Sequence, residues 1–273
     1  MGNDRLDAFL EKSGKSKIGI AVVSAGPNLR YLIGLDVDPH ERAFMMVAAK
    51  GLPPSFVLPM LEMGNVGRAA ASIGAELHGY SDDEGPAFAV GRALRHVAVG
   101  AGKLLVGVEF LHMRVKEHEL IRSALGSFDV LDIDGLLTQM RAVKDSEEIA
   151  CLRRAAEIAD IGIAAARDAI SPGVSEKRVA LAIERAMLDA GADSVPFNIV
   201  LAGPNAALPH GAPSDRKIME GELVICDIGA VYRGYFGDIT RTIPAGKPSP
   251  GMVKAYEAST GPTRREGRPL ARA

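Results

Sequence analysis

The chain has 273 residues, of which 47% are hydrophobic and 24% charged, with a formal net charge of −2. That length favours two domains, and so even a charge balance excludes a general pull toward nucleic acid or acidic membranes. No apolar run reaches the roughly 18 residues of a membrane helix, the N-terminus has no signal-peptide core, and Cys151 and Cys226 lack a paired spacing, so a cytoplasmic, reducing setting is expected.

In chain order, residues 1–17 carry the pattern of a short amphipathic helix. β-rich runs follow at 18–23, 43–49 and 55–58, the last set off by Pro53 and Pro54. Helical patterns cover 61–73, which ends at Gly74, and 86–96, which opens on Pro86. Then come a strand at 103–108, a helix at 112–125 and a strand at 130–133. Alternation of this kind predicts an α/β domain over residues 1–135.

A boundary is expected in 135–144. Asp145 reads as an N-cap, with Glu148 completing a capping box. Ile149, Leu152, Ala156, Ala159, Ile163, Ala166 and Ile170 then recur at helical spacing until Ser171-Pro172-Gly173 stops the run. Ser175 can cap a second helix, which continues to Gly191. Both helices read as core cover and carry no assigned chemistry. From Glu222 the run LVICDIGAVYRGYFGDITRTI has strand character and predicts a long hairpin turning at 232–234. Another helix begins at 253–258. Residues 261–273, with Arg264, Arg265, Arg268 and Arg272 but little apolar periodicity, are expected to form a disordered basic tail.

Asp227 and Asp238 are the informative pair. A turn at 232–234 places them nearly opposite each other, where two carboxylates repel and lose hydration. Exposure, protonation of one carboxyl or a shared cation relieves this. Val224, Ile225, Ile228, Ile239 and Ile243 indicate a buried hairpin, and Gly229 and Gly237 leave room beside the carboxylates. A shared divalent ion is the reading that these neighbours favour.

The segment CDIGAVYRGYFGDITRT resembles the metal-binding hairpin of the pita-bread metallopeptidases, and LAGPNAALPHGAPSD resembles the segment that brings a histidine to their substrate pocket. NLRYLIGLD and ERAFMMVAAKGLPPSFVLPMLE resemble the N-terminal domain of creatinases, prolidases and aminopeptidases P, and LLTQMRAVKDSEEIACLRRAAEIAD resembles the passage into their catalytic domain. The resemblance covers about residues 1–258. It implies a creatinase-like α/β N-terminal domain followed by an α+β pita-bread domain over 136–260, of which about the first half is present. It further implies Asp227 as a ligand of one metal ion, Asp238 as a bridge between two, and His210 as a catalytic pocket residue. Two divalent ions (manganese, cobalt or zinc), a proline-containing peptide substrate and a homodimer are implied in the same way, as is hydrolysis of the bond preceding proline.

The family's later ligands are a histidine and two glutamates. No histidine follows His210, and Glu257 and Glu266 stand in unlike contexts. The expectation is therefore a truncated Xaa-Pro peptidase, inactive or weakly active, with weak or absent metal binding. The alternatives are a non-catalytic pita-bread module that binds peptides or proteins, and a creatinase-type C–N hydrolase.

Overall fold

The strand β1 (Ile20–Ser24) is buried at every position, as are β2 (Met45–Ala48) and β3 (Ser55–Pro59), so their sheet must be covered on both faces. The computed structural model describes residues 2–38, 40–97 and 105–266. It divides the chain into two compact units, 1–144 and 145–273.

The helices of the first unit are α1 (Gly2–Lys15), α2 (Pro27–Ile33), α3 (Met63–Ser72), α4 (Ala87–Val97), α5 (Val115–Leu125) and α6 (Asp134–Ala142), and its later strands are β4 (Glu76–Tyr80), β5 (Leu105–Val108) and β6 (Asp129–Asp132). The sheet order is β4-β3-β2-β1-β5-β6. β1, β5 and β6 run parallel to one another, whereas β2 is antiparallel to both β1 and β3. Successive side chains point to opposite faces, which sorts the buried residues into two cores. Ala21, Val23, Met46 and Phe56 pack with Phe9 of α1, Leu32 of α2, Val66 of α3 and Leu137 of α6. Ile20, Val22, Met45 and Val57 pack with Val90 and Leu94 of α4 and Ile121 of α5. Each large side chain buried in this way contributes roughly 1.5–3 kcal/mol.

The unit boundary falls at Lys144, at the far end of the expected 135–144. Most of that boundary stretch is helical, since residues 134–142 form α6. Leu137 is fully buried, Leu136 and Met140 pack against the first core, and the Tyr31 hydroxyl donates to the Met140 carbonyl. Three such anchors make the segment part of the unit it follows.

The second unit contains α7 (Ser146–Ala169), α8 (Glu176–Asp189), β7 (Ser194–Ala202), β8 (Leu223–Tyr232), β9 (Tyr235–Pro244) and α9 (Pro250–Glu266). Asp145 Oδ1 accepts from the Glu148 N–H at 2.9 Å and Glu148 Oε2 accepts from the Asp145 N–H at 3.0 Å, closing the capping box of α7. β7, β8 and β9 form an antiparallel sheet in that order, one face of which packs on α7 and α8 through Val200, Val224, Cys226, Ile228 and Ala230. The helix α9 runs on to Glu266, so residues 261–266, expected to be disordered, are helical. Gly261 and Pro262 disfavour a helix interior without forbidding it. The remainder of the expected tail, 267–273, lies outside the described residues.

Candidate functional site

The hairpin turn fixes the relation of Asp227 to Asp238. Tyr232 pairs with Tyr235, and the two residues between them, Arg233 and Gly234, have φ of 48° and 79°, as a two-residue primed turn requires. Reflection about that turn pairs Asp227 with Thr240 and Gly229 with Asp238. The aspartates are therefore offset by two residues instead of lying nearly opposite. They remain on one face of the sheet as diagonal neighbours, with α-carbons about 7–8 Å apart. The Thr240 hydroxyl donates to Asp227 Oδ1 at 2.7 Å and orients that carboxylate.

Only one face of the hairpin is buried. Val224, Ile228, Ile239 and Ile243 belong to the core against α7 and α8, but Asp227 lies on the opposite face, where it is half-buried and Asp238 exposed. Phe236, on that same face, is 53% exposed. The two glycines make room for packing, not for the carboxylates. A Cβ on Gly237 would stand 2.3 Å from the Ala155 carbonyl oxygen, so its absence lets β9 approach the backbone of α7. A Cβ on Gly229 would stand 2.2 Å from the Phe197 ring, which occupies the space across from Asp238.

His210 is exposed, in the loop that follows β7 and its 3-10 turn Gly203–Ala207. Leu201 pairs with Ile225 and so shares the face of Asp227, and a Cβ on Gly211 would meet the Leu201 side chain at 2.9 Å. The loop thus folds back over the aspartate face of the sheet.

What holds this loop is Glu176, which the sequence pattern presents as no more than helix cover. It is fully buried at the first position of α8. Its Oε1 accepts from the Ala202 N–H at 2.9 Å and from the Asn205 amide at 3.0 Å, ahead of His210. Its Oε2 accepts from the Ser214 N–H at 3.0 Å and the Ser214 hydroxyl at 2.6 Å, beyond His210. Burial pushes this carboxyl up, but these bonds outweigh it and hold the group below the ordinary glutamate value. Arg216 and Glu222 pin the loop's far end: Arg216 Nη1 donates to Glu222 Oε2 at 2.8 Å, and the guanidinium holds that carboxyl low. The partners of Glu176 lie 26 to 38 residues away in sequence, so no local pattern announces them.

Asp227 and Asp238 do not by themselves make a centre for two divalent ions. Among the described residues, neither aspartate nor His210 belongs to a group of three or more histidine, cysteine or carboxylate donors lying within 4.8 Å of one another. The three-donor group that does form lies in the first unit: Glu109, His112 and Asp134. Among the described residues no helix is long and apolar enough to cross a membrane.

Comparison with known proteins accords with this architecture. Residues 5–143 match the Creatinase/Prolidase N-terminal domain, and residues 150–260 match Metallopeptidase family M24. The chain is 30% identical over 254 residues to a putative dipeptidase, YkvY, of Bacillus subtilis, covering 93% of this chain and 68% of that protein. Among solved structures, dipeptidase PepE of Mycobacterium ulcerans is 33% identical with a TM-score of 0.82, covering 94% of this chain and 68% of its own. A prolidase of Thermococcus sibiricus is 29% identical with a TM-score of 0.86, with coverage of 96% and 70%.

Proposed function

Because the chain belongs to metallopeptidase family M24 and carries that family's creatinase/prolidase N-terminal domain, we propose that its chemistry is metal-dependent hydrolysis of the peptide bond preceding proline. The observation that carries this reading is the placement of Asp227 and Asp238 on one accessible sheet face, over which the His210 loop folds. Two diagonal carboxylates offer oxygen donors suited to a hard or borderline divalent ion such as manganese, cobalt or zinc. In this reading His210, exposed on a loop tied at both flanks, binds a substrate carbonyl oxygen. The relatives named dipeptidase support a short peptide as substrate, and the one named prolidase supports a proline in it.

The same reading makes the 273-residue chain a poor catalyst on its own. Two aspartates leave most of the coordination to water, and among the described residues no three-donor group includes either of them. A cytoplasmic setting and a homodimer belong to this reading; Cys151 and Cys226 are both buried and free, which suits a reducing compartment. The test is turnover of an Xaa-Pro dipeptide and tripeptide by manganese-loaded protein, with Asp238→Ala as the control. Slow turnover abolished by Asp238→Ala is expected. Peptide binding without turnover in either protein would instead favour a non-catalytic binding module. Rapid turnover lost in the control would mean that a full ligand set assembles, and would overturn the argument for weak catalysis.

A further inference from the structure

Three parallel strands of the first unit, β1, β5 and β6, end at the same edge of their sheet, the edge where ligands bind in parallel α/β folds. Glu109 follows β5 directly, Asp134 opens the helix after β6, and His112 lies in the connection from β5 to α5. We propose that Glu109, His112 and Asp134 form a site for a first-row divalent cation, in a different unit from the hairpin aspartates.

Geometry supports this first. His112 Nδ1 stands 3.9 Å from Glu109 Oε1 and 3.8 Å from Asp134 Oδ1, too far for hydrogen bonds. One ligand atom from each residue lies within 4.8 Å of the other two. Donors at the corners of a triangle with that edge lie about 2.8 Å from its centre, so a contraction of about 0.6–0.8 Å at most brings all three to coordination distance.

The carboxylates are also held in the posture of ligands. Glu109 Oε2 accepts from the Ser24 N–H at 2.6 Å and Oε1 from the Asn28 amide at 2.8 Å. Asn28 is in turn fixed by Arg141, whose Nη1 donates to the Asn28 side-chain oxygen Oδ1 at 2.9 Å. Asp134 Oδ2 accepts from the Leu111 N–H at 2.9 Å. These bonds aim Glu109 Oε1 and Asp134 Oδ1 toward the imidazole, and each of those oxygens keeps a lone pair for an ion. Such outer partners orient ligands at protein metal sites.

Charge completes the case. The Glu109 side chain is 2% exposed, and among the described residues its only ion-pair partner is His112. A buried carboxylate beside a second one is relieved by protonation or by a shared cation, and three converging donors suit the cation. One imidazole nitrogen with two carboxylate oxygens is a donor set for Zn²⁺ or Mn²⁺, and the 35% exposure of the His112 side chain gives the ion a route in.

The test uses the full chain with Asp227→Asn and Asp238→Asn, so that hairpin binding does not contribute. Equilibrium dialysis against Mn²⁺ and Zn²⁺ with elemental analysis is expected to find about one ion retained per chain. Adding His112→Gln or Asp134→Asn should weaken retention about tenfold or more. Circular dichroism without metal checks that those variants fold. In the chain with all three donors intact, Zn²⁺ should shift the His112 imidazole nitrogen resonance. No retained ion, equal retention in all variants, or an imidazole signal unmoved by Zn²⁺ while it titrates freely to imidazolium would each overturn the site. Because the hairpin carboxylates are absent throughout, failure here leaves the proposed peptidase chemistry untouched.

Discussion

Replacing Glu176 with alanine should loosen the His210 loop and destabilise the second unit together. The side chain is fully buried and accepts from the backbone N–H groups of Ala202 and Ser214, the Ser214 hydroxyl and the Asn205 amide. Removing it strands at least the Ala202 N–H in a buried setting, at about 1–3 kcal/mol per unsatisfied donor. The Ser214 side is only partly buried and recovers some of its loss from water. A net cost of about 3–5 kcal/mol follows. Glu176→Gln should cost less, about 2 kcal/mol, because it keeps one carbonyl oxygen but must turn an NH₂ toward one pair of donors. The sign of the pH dependence also follows. Since the folded carboxyl is held below its ordinary value, its stabilising contribution is fully present above about pH 4.3 and fades as pH falls through the folded value. Urea unfolding measures the cost, and amide exchange at Ala202 and Ser214 locates it, with the exposed Glu184→Ala on the same helix as a control expected within about 0.5 kcal/mol of the parent. A loss below about 1 kcal/mol for Glu176→Ala, with exchange at those two amides unchanged, would refute the reasoning.

Gly237→Ala should destabilise by about 1–3 kcal/mol or more in urea unfolding, since the new methyl meets the Ala155 carbonyl backbone at 2.3 Å and neither strand nor helix can yield cheaply. Asp145→Ala removes the acceptor of the Glu148 N–H and should cost about 1 kcal/mol by the same measurement. Cys226, whose thiol burial pushes up to about 12, should resist iodoacetamide at pH 8 in the folded protein and react fully in urea, as mass spectrometry would report.

Interactions between near neighbours are legible in the amino-acid sequence itself. The capping box of Asp145 and Glu148, the cap at Ser175 and the hairpin centred on Arg233 and Gly234 depend on residues a few positions apart, so their signatures are contiguous. The relation of Asp227 to Asp238 is legible to within two positions, because a hairpin's register follows from its turn and the sequence places the turn centre slightly early. Helix α6 falls within the expected boundary stretch and is not legible as a helix, because its few apolar residues find their core across the unit.

Composition and spacing alone thus determined the two-unit plan, the hairpin and the shared face of its aspartates. Tertiary structure alone decided which face of that hairpin is covered, because burial depends on what packs above a strand and not on the strand's own alternation. It decided that Gly229 and Gly237 make room for a ring and a helix backbone, since a missing Cβ does not name its neighbour. It also brought together Glu176 with Ala202 and Ser214, and Glu109 with Asn28 and Asp134, across separations of 25 to 81 positions in the chain. Such polar contacts leave no periodic trace, because each is a single meeting of two groups whose positions are set by the packing of the apolar residues around them.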